Sequence, residues 1–494
     1  MNQSEGRAKG LFAVLIAVCL SLLAARYCMF GGGLQPESID RKAPDADPTD
    51  RFHAIDKQRD ERQNQTELVQ YVESCLQPTL PRGGYFLNQD VLDFDDDEWD
   101  AARKVPRIRA VEGMGFSPVA WTNICQLGDL ESLNNRYENV TNDDLQNLAR
   151  LSKLKVLILQ TPVGSSQPEE YFGREPPFSA VALEPLKDMD QLRQLTLASD
   201  RLLDDGLAQV KLVPHLLLLH LTGHLTNEGL KHLGELPEIR RLWLSGHFDD
   251  DGLIYLANLE TLETLALRSD RLTGRGLAHL AKLPNLRHLI IHGLQPGWTL
   301  APLKDFTALE VLNLGRDGLT DEILGTLPHS DRIQSLCLDS AYDVTNQGLE
   351  CLLHLPNLEE LDLLHTGITC QGFETVSKCQ NLRKLLLGLH RSSESAQEIQ
   401  QGLAYLSRLP KLKALDLRYV LRAGAFLEVL DIPTLRKLNL DDDRFQEQVK
   451  QLRERSPLLD PVTTERITIR AQIIGDSSFW QYDYLDNRMK VDID

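Results

Sequence analysis

One spacing recurs along this chain and limits what it can fold into: leucine, two residues, leucine, one residue, leucine. It stands as Leu262-x-x-Leu265-x-Leu267, Leu309-x-x-Leu312-x-Leu314 and Leu358-x-x-Leu361-x-Leu363. Its first position falls at Leu130, Leu154, Leu192, Leu216, Ile239, Leu262, Leu286, Leu309, Ile333, Leu358, Leu382, Leu412 and Leu435. The first copy is imperfect, with Asn135 in place of the last leucine. Neighbouring copies lie 23 to 25 residues apart, except for steps of 38 (Leu154 to Leu192) and 30 (Leu382 to Leu412). Steps of about 20 to 29 residues mark a repeat array in which each copy is one unit of a stack. The Leu-x-Leu step has a period of 2, so a short strand points both leucines inward and the intervening residues outward.

The second half of each repeat reads Leu-Thr-x-x-Gly-Leu-x-x-Leu-x-x-Leu, as from Leu272 to Leu283. Its apolar residues recur every three, which is helical spacing, and a Thr or Asp stands where an N-cap belongs. Thr141, Thr226, Thr273, Thr320 and Thr345 occupy that slot. Pro214, Pro237, Pro284, Pro328, Pro356 and Pro410 end most of the helices before the next strand. No repeat can bury its apolar face alone, so the units must stack and their strands must form a parallel sheet.

These motifs resemble leucine-rich repeats, in particular the ribonuclease-inhibitor-like and F-box-associated subtype, and many bacterial repeat proteins look similar. The resemblance covers roughly residues 126 to 445. It implies an α/β fold: a curved right-handed horseshoe of about 13 repeats, with an inner parallel sheet and convex helices. It also implies a protein-binding scaffold and names no ligand. One departure concerns the Asn that many such repeats place three residues after the last strand leucine. Here those places hold Asp200, His224, His247, Asp270, Leu294, Asp317, Thr366, His390 and Asp443. An Asn ladder is therefore excluded.

The N-terminus carries the second signal. Gly10 to Ala25 is apolar apart from Ser21, with Arg7 and Lys9 before it and Arg26 after it; the apolar run resumes as Tyr27 to Phe30. Sixteen residues suit a signal-peptide core, whereas a bilayer span needs about 20. Leu22 and Leu23 stand where a cleavage site needs small residues. The segment reads as an uncleaved signal anchor over residues 10–30, with a cleaved signal peptide as the alternative. Basic residues before it predict a cytoplasmic N-terminus over 1–9 and repeats outside the cytoplasm. Residues 31–50, rich in Gly, Pro, Asp and Arg, read as a flexible linker. Residues 51–125 read as an N-terminal cap, 126–445 as the repeat domain and 446–494 as a C-terminal cap. In that last part Phe445 to Arg455 reads as a helix and Ile467 to Ile474 as a strand.

A net charge of −19 argues against nucleic-acid binding, which needs basic surface, and favours a basic or neutral partner. Asp93-x-Asp95-x-Asp97 begins like a calcium loop, but Glu98 takes the required Gly position and Lys104 the bidentate Glu position. Export would make a Cys75–Cys125 bridge natural. Cys379 replaces a repeat leucine, Cys337 sits between two strand leucines, and Cys351 and Cys370 fall on the convex side. His220, His288 and His292 project from the sheet but lie too far apart for one ion, about 13 Å or more by strand rise and spacing. His224 and His247 occupy equivalent corners of adjacent repeats. No sequence signature for catalysis, a cofactor or a metal stands out, so the chain reads as a non-enzyme. The alternative is an intracellular F-box-like adaptor, although residues 51–125 lack the Leu-Pro start and apolar helices of an F-box.

Repeat register lets the concave face be read directly. Successive repeats present Arg241, Trp243 and Ser245; Thr264, Ala266 and Arg268; His288, Ile290 and His292; Val311, Asn313 and Gly315. Trp243, Arg241, Arg268, His288 and His292 form the candidate protein-binding site, because Trp and Arg are enriched in binding hot spots. Coverage of Trp243 by the stems of Arg241 and Arg268 is the competing use. The face then turns acidic, with Asp339, Glu360, Asp362, Asp416 and Asp441 among Lys384, Arg418 and Lys437. The two long steps read as insertions at one rim, Thr161 to Ser179 and His390 to Gln401. Unperturbed imidazoles would make affinity for an acidic partner rise as pH falls towards about 5.5.

Overall fold

Among the described residues, fifteen strands lie side by side in one parallel sheet, in chain order from first to last. The computed structural model describes most of residues 96–440, the strand at 85–88, and single positions at 70, 450, 454, 459 and 470. The chain divides into two units, Met1–Asn64 and Gln65–Asp494, and the described residues belong to the second. The strands are β1 (Tyr85–Asn88), β2 (Ile108–Met114), β3 (Ser132–Arg136), β4 (Val156–Gln160) and β5 (Gln194–Ala198). Next come β6 (Leu218–Thr222), β7 (Arg241–Asp249), β8 (Thr264–Arg271), β9 (His288–His292) and β10 (Val311–Asn313). The last are β11 (Ser335–Cys337), β12 (Glu360–Thr366), β13 (Lys384–Leu389), β14 (Ala414–Tyr419) and β15 (Lys437–Asn439).

Strands β3 to β15 are the thirteen leucine repeats, and the architecture is a leucine-rich repeat solenoid. Register follows the leucines, with Leu242 beside Leu265 and Leu265 beside Leu289. Strand leucines such as Leu265 and Leu267 are fully buried in a continuous core running from Trp99 to Leu459. Two further strands precede the repeats. β2 pairs with β3 in the same register, Val111 opposite Leu133, so part of the region read as a cap extends the sheet. There Trp99, Phe116 and Trp121 pack together, the first two edge to face at 5.6 Å.

The other side of the core is lined by short α-helices, such as Asn227–Leu233, alternating with 3-10 turns, such as Asp250–Asn258 and Gly348–His354. Thr226, Thr320 and Thr345 accept hydrogen bonds from the backbone N–H groups two or three residues ahead, as expected of N-caps. A second function of this slot was not visible in the spacing. Asp204 accepts from both the N–H and the hydroxyl of Thr226 one repeat later (2.8 and 2.5 Å), and Asp321 does the same for Thr345 (2.8 and 2.6 Å). Asp250 holds Thr273 in the same way, while Asn227 and Asn346 accept the backbone N–H of Asp249 and Thr369 and donate their own amide N–H to those side chains. The repeat glycine explains itself here. A Cβ on Gly229, Gly252, Gly348 or Gly372 would land on the clamping Asp204, Asn227, Asp321 or Asn346 side chain. Side-chain clamps between repeats thus supply links that an Asn ladder provides elsewhere.

Several expectations are settled by the described residues. Of the second insertion, Ala396 to Gln401 form the first part of the helix Ala396–Leu406, opened by a capping box of Ser395 and Glu398. Cys351, Cys370 and Cys379 all point into the core. Arg470, within the stretch read as a strand, is helical, as are Lys450 and Glu454 in the stretch read as a helix. No helix among the described residues is long and apolar enough to cross a membrane; the apolar segment Gly10 to Phe30 lies outside them. So do Cys75 and the insertion from Thr161 to Ser179.

Candidate binding surface on the outer face of the sheet

The sheet face turned away from the leucine core carries a second, smaller apolar cluster, formed by Leu218, Ala266, Ile290, Val311, Cys337, Leu364, Leu386 and Ala414. This corrects the picture of an open face. Ile290, Val311, Leu386, Asp362 and Asp416 are fully buried although they point outward. Accessibility returns at β7 and β8, where Arg241 and Trp243 are half-buried and Arg268 is exposed.

Register brings the five candidate residues onto three adjacent strands. Arg241 lies beside Thr264, which lies beside His288, while Arg268 lies beside His292. Trp243 has Ala266 as its neighbour on β8, and that small side chain leaves room for the indole. The indole ring sits between two imidazoles, His220 at 5.3 Å and His292 at 6.3 Å between ring centroids. Two histidines therefore flank it. His288 is engaged sideways, its Nδ1 2.9 Å from the Thr264 hydroxyl. Beside Trp243 a recess opens between β5 and β8, walled by Gln194, Thr196, Leu218, His220, Trp243 and Ala266.

Electrostatics overturn the expected pH response. Burial depresses His220, His288 and His292 to a pKa of about 4. Arg241, Arg470 and Arg287 add to this at His288, and Arg316 and Arg268 at His292. A buried imidazolium beside guanidinium groups is doubly disfavoured. These histidines are neutral at pH 5.5 and cannot strengthen binding of an acidic partner there. His224 and His247 do meet at their corner, rings stacked at 5.2 Å, with His247 Nδ1 3.4 Å from Asp270. Among the described residues no three His, Cys, Asp or Glu side chains are placed to hold a metal.

The acidic half of the face is built differently. Glu360 is buried and accepts from the Ser335 hydroxyl (3.0 Å), pairs with Lys384 Nζ (3.1 Å), and receives Arg470 twice. The Arg470 backbone N–H and Nε both donate to its Oε2, at 2.8 and 3.3 Å, while Nη2 donates to Gln334 at 3.3 Å. Burial opposes ionisation of Glu360, but the Lys384 charge and Arg470 outweigh it and hold the carboxyl below its ordinary range. Asp362 shifts the other way. Burial and the neighbouring Asp339 raise it to about 7, against the Leu364 N–H that it accepts at 2.9 Å. Cys337, 3.7 Å from Asp362, has its thiol pushed up by burial and by that carboxylate, so it stays protonated.

Comparison with solved structures returns repeat proteins. An internalin of Listeria monocytogenes is 18% identical over 77% of this chain and 94% of its own, with a TM-score of 0.36. A leucine-rich repeat protein of Leptospira interrogans is 17% identical over 74% and 92%, with a TM-score of 0.36. The TLR13–ssRNA13 complex is 18% identical over 68% and 54%, with a TM-score of 0.41. At such identities the likeness concerns the fold alone. No protein-family model matches the chain, and neither does any curated protein.

Proposed function

We propose that this chain is a non-catalytic recognition scaffold that binds a protein partner on the outer sheet face around Trp243. The observation that carries this reading is the indole itself, half-exposed beside a recess while most of the face further along is buried. Arg241 and Arg268 border it and supply polar contacts around an apolar centre, the arrangement of a binding hot spot. The Cys337 thiol stays protonated and supplies no activated nucleophile. A partner isolated by crosslinked pulldown should lose about 2 kcal/mol of affinity, roughly thirtyfold, with Trp243→Ala. The convex control His279→Ala should bind like wild type. Equal affinity for all three proteins removes the surface from consideration. Affinity should also be flat between pH 7.5 and 5.5 as far as the three buried imidazoles are concerned.

Residues 10–30 give the same reading a location: a single-pass tether with the repeats outside the cytoplasm. The protein should then stay with membranes through a carbonate wash, and deletion of Met1 to Phe30 should release a folded, soluble chain. Recovery of the intact chain in the cytosolic fraction rules out the tether.

A further inference from the structure

Gly293, Arg316, Ser340 and His365 hold one equivalent place in four successive repeats, two residues beyond the last inward-facing apolar side chain. All four have a left-handed backbone, with φ between 54° and 89°. Only glycine adopts that conformation without strain. The Ser340 and His365 side chains both bond Asp339 Oδ1, at 3.2 and 3.0 Å, which offsets the cost locally. The Arg316 guanidinium is exposed and makes no hydrogen bond or ion pair among the described residues. Strain kept for a side chain that the fold does not use points to a use outside the fold.

A second unpaired guanidinium stands across from it. Arg268 is exposed and likewise makes no side-chain hydrogen bond or ion pair among the described residues. It lies beside His292 in the sheet, and its stem leans against Gly293, where an added Cβ would have only Arg268 Cγ within 4 Å, at 3.6 Å. The missing side chain of Gly293 therefore leaves a gap beside Arg268, on the strand next to the one that Arg316 follows. Burial, then the charges of Arg316 and Arg268, hold His292 neutral, so both guanidiniums are within electrostatic reach of one imidazole. That imidazole also touches the Trp243 indole.

We infer that Arg268 and Arg316 take the carboxylates of an acidic segment of the partner, beside the apolar contact at Trp243. Each guanidinium fork matches a carboxylate with paired N–H donors. The whole-chain charge of −19 favours a basic partner, but a basic segment at this place would cover two cations and leave them unpaired, at a large desolvation penalty. The inference rests on the Trp243 surface being the contact face, and it adds Arg316 to that face and a charge to what the face selects.

The probe is the peptide acetyl-Asp-Gly-Asp-amide, titrated into the full chain labelled with 15N at arginine, with the two Nε–H signals assigned by Arg268→Lys and Arg316→Gly. Acetyl-Asn-Gly-Asn-amide, of the same shape without charge, acetyl-Lys-Gly-Lys-amide and inorganic phosphate are the comparisons. The acidic peptide should shift both signals saturably, with a midpoint about tenfold below that of the asparagine peptide, since charge-assisted hydrogen bonds replace neutral ones. Arg316→Gly should raise that midpoint about tenfold while the urea midpoint stays level or rises, because glycine relieves the left-handed backbone. Arg275→Gln, an equal change of charge at an exposed convex position, should bind like wild type. Equal binding of the Asp and Asn peptides, no saturable shift, or tighter binding of the lysine peptide or of phosphate overturns the inference. So does undiminished binding by Arg316→Gly, a lower urea midpoint for that variant, or equal weakening by Arg275→Gln. None of these outcomes touches the partner assay with Trp243→Ala, which tests the contact face separately.

Discussion

Replacing Gly348 by alanine should destabilise the solenoid by about 2 kcal/mol, even though alanine is the better helix former. Helix propensity alone would favour the change by up to about 1 kcal/mol in this 3-10 turn. Against it, the new methyl would overlap Asp321 Oδ1 and press on Leu324 Cδ1 at 3.2 Å. Overpacking of this kind costs about 1 to 3 kcal/mol. Pushing Asp321 aside also breaks both hydrogen bonds to Thr345, each contributing about 0.5 to 1.5 kcal/mol. Urea unfolding of Gly348→Ala, Asp321→Ala and the double variant forms a cycle. The double variant should be less destabilised than the two singles summed, because the aspartate that alanine displaces is already gone. Strict additivity would show that glycine and clamp are independent.

Asp362→Asn should stabilise the protein by about 2 kcal/mol more at pH 8 than at pH 5. Asp362 titrates near 7 in the fold and near 3.8 when unfolded, so the folded state binds its proton more tightly. Its contribution is complete below about pH 4 and is lost as pH rises towards 7, when a charge must be held beside Asp339 and Asp416. Each tenfold difference in proton affinity between the two states corresponds to about 1.36 kcal/mol, so wild type should lose on the order of 2 kcal/mol from this group between about pH 5 and 8. Asparagine keeps an oxygen for the Leu364 N–H and carries no charge. Denaturant midpoints at the two pH values measure the effect; parallel pH dependence in wild type and variant would refute the assignment.

The strands of the thirteen repeats were legible because a leucine facing the core leaves the same signature wherever it stands. β2 escaped because Gly113 falls where the last strand leucine belongs, opposite Asn135. Trp243 could be placed on the outer face by counting, since register follows the leucines. Its surroundings could not be read that way. The indole sits between His220 and His292, which lie 23 residues before it and 49 after it, and the burial that neutralises them depends on packing that spacing does not encode. The clamps were hidden for another reason. Asp204, Asp321 and Asn346 sit in or beside ordinary cap positions, and only coordinates show each side chain reaching the next repeat.

Each clamp joins a repeat to its immediate neighbour, so most of the solenoid is a one-dimensional stack that can open from any boundary. Arg470 changes this at one end. It grips Glu360 and Gln334, 110 and 136 positions earlier in the chain, and so reaches back past β13, β14 and β15. The C-terminal strands are thereby enclosed in a loop rather than left as a free end. Peeling β15 away cannot relax the chain until the guanidinium lets go of a strand three positions inward. Fraying should therefore begin at the β1 end, and the last four strands should exchange their amide protons as one cooperative unit.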